Sequence, residues 1–363
     1  MPLLANWEFP WARSPEVGTF VTRDRRLVCS GWAVADGAIP TIDIYVDGGL
    51  FERVTPSHYR EDIEIAEGRT YPGASGPTGW AIALDASTWR PGPHELRLVA
   101  RTDRAELPLG SRTVDLPDAR PDLEAFWNDL LPILREPASA RRHGHQAFLS
   151  SEPGAWRRHS TSVWGFSRFA CELLTQGTGR VLAIGAGISP TVANLIQLDI
   201  VDYPNIDVIS ESAELPFRDE AFDAVICENV IEHVPDPFAL VKEMDRVLKP
   251  GGQIGVNGTN LHFTHGYPSH YFNATEFGMR HLLETRSRFE GEYEFNPVPE
   301  SLQTVLAYYV ASLDPAARAR VEGLTVRELL LPSHETRGLI ANVHDLARRA
   351  ISTNIYFKGR KKI

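Results

Sequence analysis

Cysteine is scarce in this chain: Cys29, Cys171 and Cys227 are the only three in 363 residues, far apart and without metal-ligand spacing. That argues against a cysteine-held metal and points to a reduced, cytoplasmic setting. Long apolar runs are missing as well. None reaches the roughly 20 residues of a membrane-spanning helix. The first residues lack a basic stretch leading into an apolar core, so no signal peptide is expected. Basic charge is in deficit, with 37 Lys and Arg against 47 Asp and Glu and a formal net charge of -10. This disfavours nucleic acid or an anionic membrane surface as the main partner. What the chain does have is 43% hydrophobic residues, enough for a sizeable core, in a length that suits two or three domains.

Two grammars divide the sequence. Up to Leu116 short alternating runs sit between Gly/Pro-rich turns. "TIDIYVDGGLFERV" sets Ile42, Ile44 and Val46 against polar neighbours and turns at Asp47-Gly48-Gly49, a hairpin signal. With "LVCSGWAV", "GWAIALD" and "HELRLVART", about seven strands predict an all-β, immunoglobulin-like sandwich over 1–116. This segment resembles a small module found in bacterial proteins beside glycan-modifying enzymes, which implies a carbohydrate or protein partner. Trp7, Trp11, Trp80 and Trp89 are candidates to stack on sugars or, more simply, to fill the core. The proline-bearing stretch 117–121 reads as a linker. A cut there is expected to release a β-rich N-terminal fragment and leave a folded remainder.

Residues 122–363 read as an α/β domain with a mostly parallel sheet. "LEAFWNDLL" opens it with a helix, and Pro132 bends or ends that helix. "RVLAIG", "LIQLDI", "IDVIS", "FDAVICE" and "GQIGVNG" predict five successive strands. A helix before the fifth is N-capped by Asp236, takes Pro237 in its first turn and stops at "KPGG". Helices are expected over about 302–313 and 335–350, and a last strand in "TNIYFKGRKKI".

The glycine turn "VLAIGAGISP" invites a nucleotide, but Pro190 stands where a dinucleotide fingerprint needs its third glycine. Gly185 and Gly187 let the backbone approach a ligand closely. Asp199 ends the second strand, where a carboxylate can accept from two ribose hydroxyls. Glu211 ends the third. Two carboxylates, one glycine turn and no pyrophosphate site suit an adenosine. Four stretches carry a more specific pattern: "VLAIGAGISP", "LDIVDYPNIDVISESAELPF", "FDAVICENVIEHVPDPFALVKEMDRVLKPGG" and "HGYPSHYFNATEFGMRHLLE". Over about 164–283 they resemble class I S-adenosylmethionine-dependent methyltransferases of the methyltransferase-11-like type, a group associated with bacterial surface glycans. The resemblance implies a Rossmann-like fold and S-adenosylmethionine as cofactor. It places Gly185, Ala186 and Gly187 on the methionine portion and Asp199 on the ribose. It puts Ile200 beside the adenine, with Glu211, Ser212 and Ala213 near its amine, and Glu228 and Asn229 near the sulfonium.

The chain departs from that pattern in three places. Ala183 replaces the family's acid before the glycine loop. The span from Gly185 to the second strand is near the minimum for a crossover, so any helix in it must be short. "VDYPN" is too brief for a crossover helix, so either the third strand is stunted or the connection is an extended loop.

After the fifth strand, "NGTNLHFTHGYPSHYFNAT" supplies polar and aromatic groups for an acceptor. Asn257, Tyr267 and Tyr271 are candidate binding residues, and His265 or His270 the candidate base, with His233 of "EHV" a further catalytic candidate. No acidic cluster accompanies the histidines, so no metal is expected. The resulting expectation is methyl transfer to an acceptor, a saccharide or glycan-precursor hydroxyl above all. The alternative is a non-catalytic cofactor-binding scaffold.

Overall fold

A computed structural model describes residues 3–9, 21–35, 37–58, 77–118, 122–136, 141–143, 146–148, 166–176, 179–211, 214–262, 270–285, 287–295 and 354–361. Trp11 and the helices expected over 302–313 and 335–350 lie outside them. The chain forms two compact units, Met1–Ile226 with Val247–Lys249, and Cys227–Arg246 with Pro250–Ile363.

The first unit begins with two antiparallel sheets. One has the order β1-β2-β5, built from β1 (Leu3–Phe9), β2 (Arg26–Ala35) and β5 (Gly79–Asp85). The other, β4-β3-β6-β7, contains β3 (Thr41–Val46), β4 (Gly49–Val54), β6 (Gly92–Arg101) and β7 (Glu106–Leu116). Among the described residues seven strands are observed, against about seven expected. The β3–β4 turn is tight because Asp47 and Gly48 both take positive φ, 48° and 86°. Trp7 and Trp80 are 2% and 0% exposed, so both fill the core rather than offer a sugar platform. Gly31 makes this possible: a Cβ there would run into the Asn6 carbonyl and the Trp80 ring. Trp89 is half-buried, edge-on to Phe51 at 5.2 Å.

The same unit holds α1 (Leu123–Leu130), α2 (Arg168–Gln176), β8 (Arg141–His143), β9 (Gln146–Phe148), β10 (Val181–Ile184), β11 (Leu195–Asp199) and β12 (Val208–Ile209). Strand β13 (Phe222–Glu228) begins in it. Asp122 caps α1 by accepting from the Ala125 amide, and Pro132 sits in the 3-10 turn that ends it. The pairings β10–β11, β11–β12 and β12–β9 are parallel, and β8–β9 is antiparallel. In the second unit β16 (Asn354–Lys361) lies between β14 (Leu248–Thr259) and β15 (Phe289–Phe295), antiparallel to both. The expected mostly parallel sheet is therefore mixed. Neighbours in sequence and chain-terminal strands add by hairpin or return, and neither requires a crossover.

Among the described residues, the helices that normally cover parallel strands are partly absent. On one side α2 supplies Phe169, Ala170, Leu173 and Leu174, packed with Val181, Ala183, Leu195, Ala224 and Ile226. No helix forms between β10 and β11, nor between β11 and β12, and β12 is two residues long. Instead, Ile188, Val201, Tyr203, Ile206 and Ile209 belong to the same buried cluster as Leu27, Ile44, Trp80 and Leu98 of the two antiparallel sheets. The β-rich segment does for these strands what crossover helices do elsewhere: it takes their apolar surface out of water.

A buried ion pair fastens that contact. Arg23, just before β2, donates from Nε to Asp207 at 2.8 Å, and the two side chains are 7% and 0% exposed. Its Nη2 donates to the carbonyls of Val192 and Leu195, and its guanidinium lies 4.5 Å from the Phe126 ring centroid. Asp207 also accepts from the Gln197 amide at 2.9 Å.

Candidate functional site

In the first unit the site starts with a turn that has no helix to stabilise it. Gly185 and Gly187 have φ of 63° and 53°, left-handed conformations that a side chain would strain. Gly187 is pinned on both sides: its N–H donates to Asp199 Oδ2 at 2.9 Å, and its carbonyl accepts from Asn205 Nδ2 at 2.8 Å. The Ala186 amide donates to the Leu198 carbonyl at 3.1 Å. Further along, Gln197 Nε2 donates to Ser189 Oγ at 2.8 Å. Side chains of β11 and of the β11–β12 loop thus satisfy backbone groups that a helix would have satisfied itself.

Asp199 is buried, and its Oδ1 accepts from the Val201 amide at 2.9 Å. Burial raises its pKa above the usual carboxylate value, and amide donors at Val201, Gly187 and Ile200 pull against that rise. With three amides donating to it, the carboxylate keeps one of its four acceptor sites for a ribose hydroxyl. Ile200 beside it is 43% exposed, an apolar surface at a strand end where an adenine face can lie. Glu211 is exposed. Ser212 and Ala213 lie outside the described residues. Sequence reasoning missed Arg23, Gln197, Asn205 and Asp207. A signal was present in "VDYPNID", where two acids and an amide crowd a connection too short for a helix.

In the second unit, Asn229 has φ of 55°, and its amide donates to the Asn257 carbonyl at 3.0 Å. Asn257 Nδ2 returns a bond to Asn229 Oδ1 at 3.3 Å. The candidate acceptor residue Asn257 therefore braces the candidate cofactor residue Asn229. Glu228, also expected at the cofactor, is half-buried. Tyr271 is 50% exposed. His233 and His270 come together with ring centroids 5.8 Å apart, and the Tyr271 amide donates to the Glu232 carbonyl at 2.7 Å. His265 and Tyr267 lie outside the described residues. Helix α3 (Pro237–Val247) runs as expected, with the Asp236 carboxylate accepting from the Ala239 amide at 3.0 Å.

Glu232 is 1% exposed, and neither carboxyl oxygen has a partner among the described residues. Burial pushes its pKa up to about 7 from an ordinary 4.5. The folded state therefore holds this proton while the unfolded chain releases it, and stability falls as pH rises between those two values. Glu232→Gln removes the ionisation. Denaturant titrations are expected to show the variant more stable by about 3 kcal/mol above pH 7, and the difference vanishing towards pH 4.5. A difference that does not change with pH would exclude a raised Glu232.

Comparison with known proteins gives one family match. Residues 164–256 fit the model described as Methyltransferase domain, Methyltransf_11. The ubiquinone biosynthesis O-methyltransferase of Pseudomonas fluorescens (strain SBW25) is 29% identical over 163 residues, 44% of this chain and 61% of that protein. The protein of the same name from Pseudomonas aeruginosa (strain UCBPP-PA14) gives the same values. The chain thus matches less than two thirds of the length of these relatives. Among solved structures, phosphoethanolamine N-methyltransferase 2 of Haemonchus contortus in complex with S-adenosyl-L-methionine is 15% identical, with a TM-score of 0.34 over 71% of this chain and 64% of that one. YcgJ of Bacillus subtilis is 18% identical, with a TM-score of 0.34 over 53% and 97%.

Proposed function

We propose that the protein is a class I methyltransferase of Rossmann-like fold that transfers a methyl group from S-adenosylmethionine to an acceptor hydroxyl, a reading supported by the methyltransferase domain matched over residues 164–256. The observation that carries this reading is the Gly187 amide seated on the strand-end carboxylate of Asp199. S-adenosylmethionine supplies a methyl already activated on its sulfonium, so the chain has to bind, orient and exclude water. Gly185, Ala186 and Gly187 would hold the methionine portion and Asp199 the ribose, with Ile200 against the adenine and Glu211, Ser212 and Ala213 near its amine. Glu228 and Asn229 keep the cofactor role that the resemblance implies.

An oxygen acceptor is supported by relatives named for O-methylation and by the histidines, tyrosines and asparagines of 257–275. A saccharide hydroxyl is the finer form of this reading, since that loop is rich in hydrogen-bonding groups. His265 or His270 takes the acceptor proton, and Tyr267, Tyr271 and Asn257 line the acceptor side. Residues 1–116 serve as an accessory, immunoglobulin-like segment, joined through 117–121 to the catalytic segment 122–363. The scarcity of cysteine, three residues far apart in the chain, supports a reducing, cytoplasmic setting. Among the described residues no helix is long and apolar enough to cross a membrane.

The test is transfer of labelled methyl from the cofactor to panels of saccharides and of phenols, analysed for the methylated atom. With a true acceptor, alanine at His265 or His270 is expected to lower turnover roughly a hundredfold or more. Cofactor affinity should stay within about 0.5 kcal/mol. Label on nitrogen or carbon would overturn the oxygen assignment. Tight cofactor binding with no transfer to any acceptor would favour the non-catalytic scaffold.

A further inference from the structure

The segment that follows β14 is tied at its base by one side chain. Asn273 Oδ1 accepts from Thr259 Oγ1 at 2.9 Å and pairs with His270 Nε2 at 3.0 Å, while Asn273 Nδ2 donates to the His262 carbonyl at 2.8 Å. The Ala274 amide closes the base on the Thr259 carbonyl at 2.7 Å. These partners decide which end of the amide is which. The His262 carbonyl has no hydrogen to give, so the amide nitrogen must face it, and the oxygen must face His270. An amide oxygen also has no hydrogen to give. In the neutral ring, therefore, His270 Nε2 carries the proton and Nδ1 carries the lone pair.

We propose that Asn273 is a positioning residue that holds His270 in its Nε2–H tautomer and so makes Nδ1 the proton-accepting nitrogen. The inference rests on the reading of His270 as the acceptor's base and adds the residue that orients it. In the transfer step the acceptor oxygen forms its bond to the methyl carbon as the sulfur–methyl bond breaks. The hydroxyl proton passes to His270 Nδ1, leaving an imidazolium and the neutral thioether product, and the imidazolium then returns its proton to water. The other tautomer would carry the proton on Nδ1 and leave no lone pair there to take one. A third group orienting the base is the general logic of activated acceptors. Here a neutral amide fills that place, and Thr259 and His262 fix the amide in turn.

The experiment is nitrogen-15 NMR of histidine-labelled full-length protein at a pH where the ring is neutral. The His270 signals are identified among those of 12 histidines by their loss in His270→Gln. The wild type is expected to show a single Nε2–H tautomer, Asn273→Ala a mixture, and Asn273→Asp, which keeps an acceptor oxygen, the wild-type form. Turnover of Asn273→Ala should fall roughly ten- to a hundredfold, the scale for removing the outer partner of a functional imidazole, with substantial recovery in Asn273→Asp. A mixed tautomer in the wild type, or an unchanged one in Asn273→Ala, overturns the proposal. If the tautomer shifts as expected but His270→Ala turns over normally, the assignment of His270 as base fails while Asn273 is confirmed as setting the ring.

Discussion

Replacing Arg23 by alanine is expected to destabilise the protein by about 3–5 kcal/mol, the scale for breaking a buried ion pair from one side. The change leaves the Asp207 carboxylate, which is 0% exposed, resting on the Gln197 amide at 2.9 Å. It also removes the donor to the Val192 and Leu195 carbonyls, where the helix-free crossover enters β11. Because the same side chain lies over Phe126 of α1, packing is lost with the charge. Arg23→Met combined with Asp207→Asn should recover much of the loss, since no unpaired charge remains. Equilibrium denaturation of the wild type and the two variants checks this. A single-variant loss below about 1 kcal/mol would show that the pair contributes no more than a surface salt bridge. The same contact bears on the remainder left by a cut at 117–121. That fragment lacks Arg23 and every residue that the antiparallel sheets give to the shared cluster.

Asp199→Ala should affect both binding and folding. Its carboxylate accepts from the Gly187 and Val201 amides. Each buried amide left without a partner costs about 1–3 kcal/mol, so stability should fall by roughly 2–5 kcal/mol. Cofactor affinity should fall by roughly 1.5–3 kcal/mol, tenfold or more, because hydrogen bonds to a charged acceptor are lost. Asn at 199 retains one acceptor oxygen and should lie between. Calorimetry at a temperature where both variants are folded separates the two effects. Unchanged cofactor affinity in folded Asp199→Ala would reduce Asp199 to a residue that shapes the turn. A folding loss without a binding loss is the signature of that outcome.

Much of the local structure was determined by the sequence. Period-two alternation with Asp47-Gly48 produced the β3–β4 hairpin, and an Asp cap with a proline in the first turn produced α3. Asp199 falls at the end of β11, and Gly185 and Gly187 take positive φ, because these depend only on strand length and the lack of a side chain. Counting residues in "VDYPN" left a stunted third strand or an extended loop, and β12 is two residues long. What the sequence could not supply was the partner for the surface that the missing helices left bare. A short connection says that a helix is absent, and says nothing of which distant segment covers the strands. That was decided by tertiary packing. Arg23 and Asp207 are 184 positions apart and each reads as an ordinary surface charge in its own window, but they are buried against each other. The same holds for Asn273, whose three bonds reach across turns to Thr259, His262 and His270. Hydrophobic periodicity reports on neighbours along one element. The satisfaction of buried polar groups depends on groups brought together only when elements pack, and the fixing of Gly187, Asp199 and His270 belongs to that second kind.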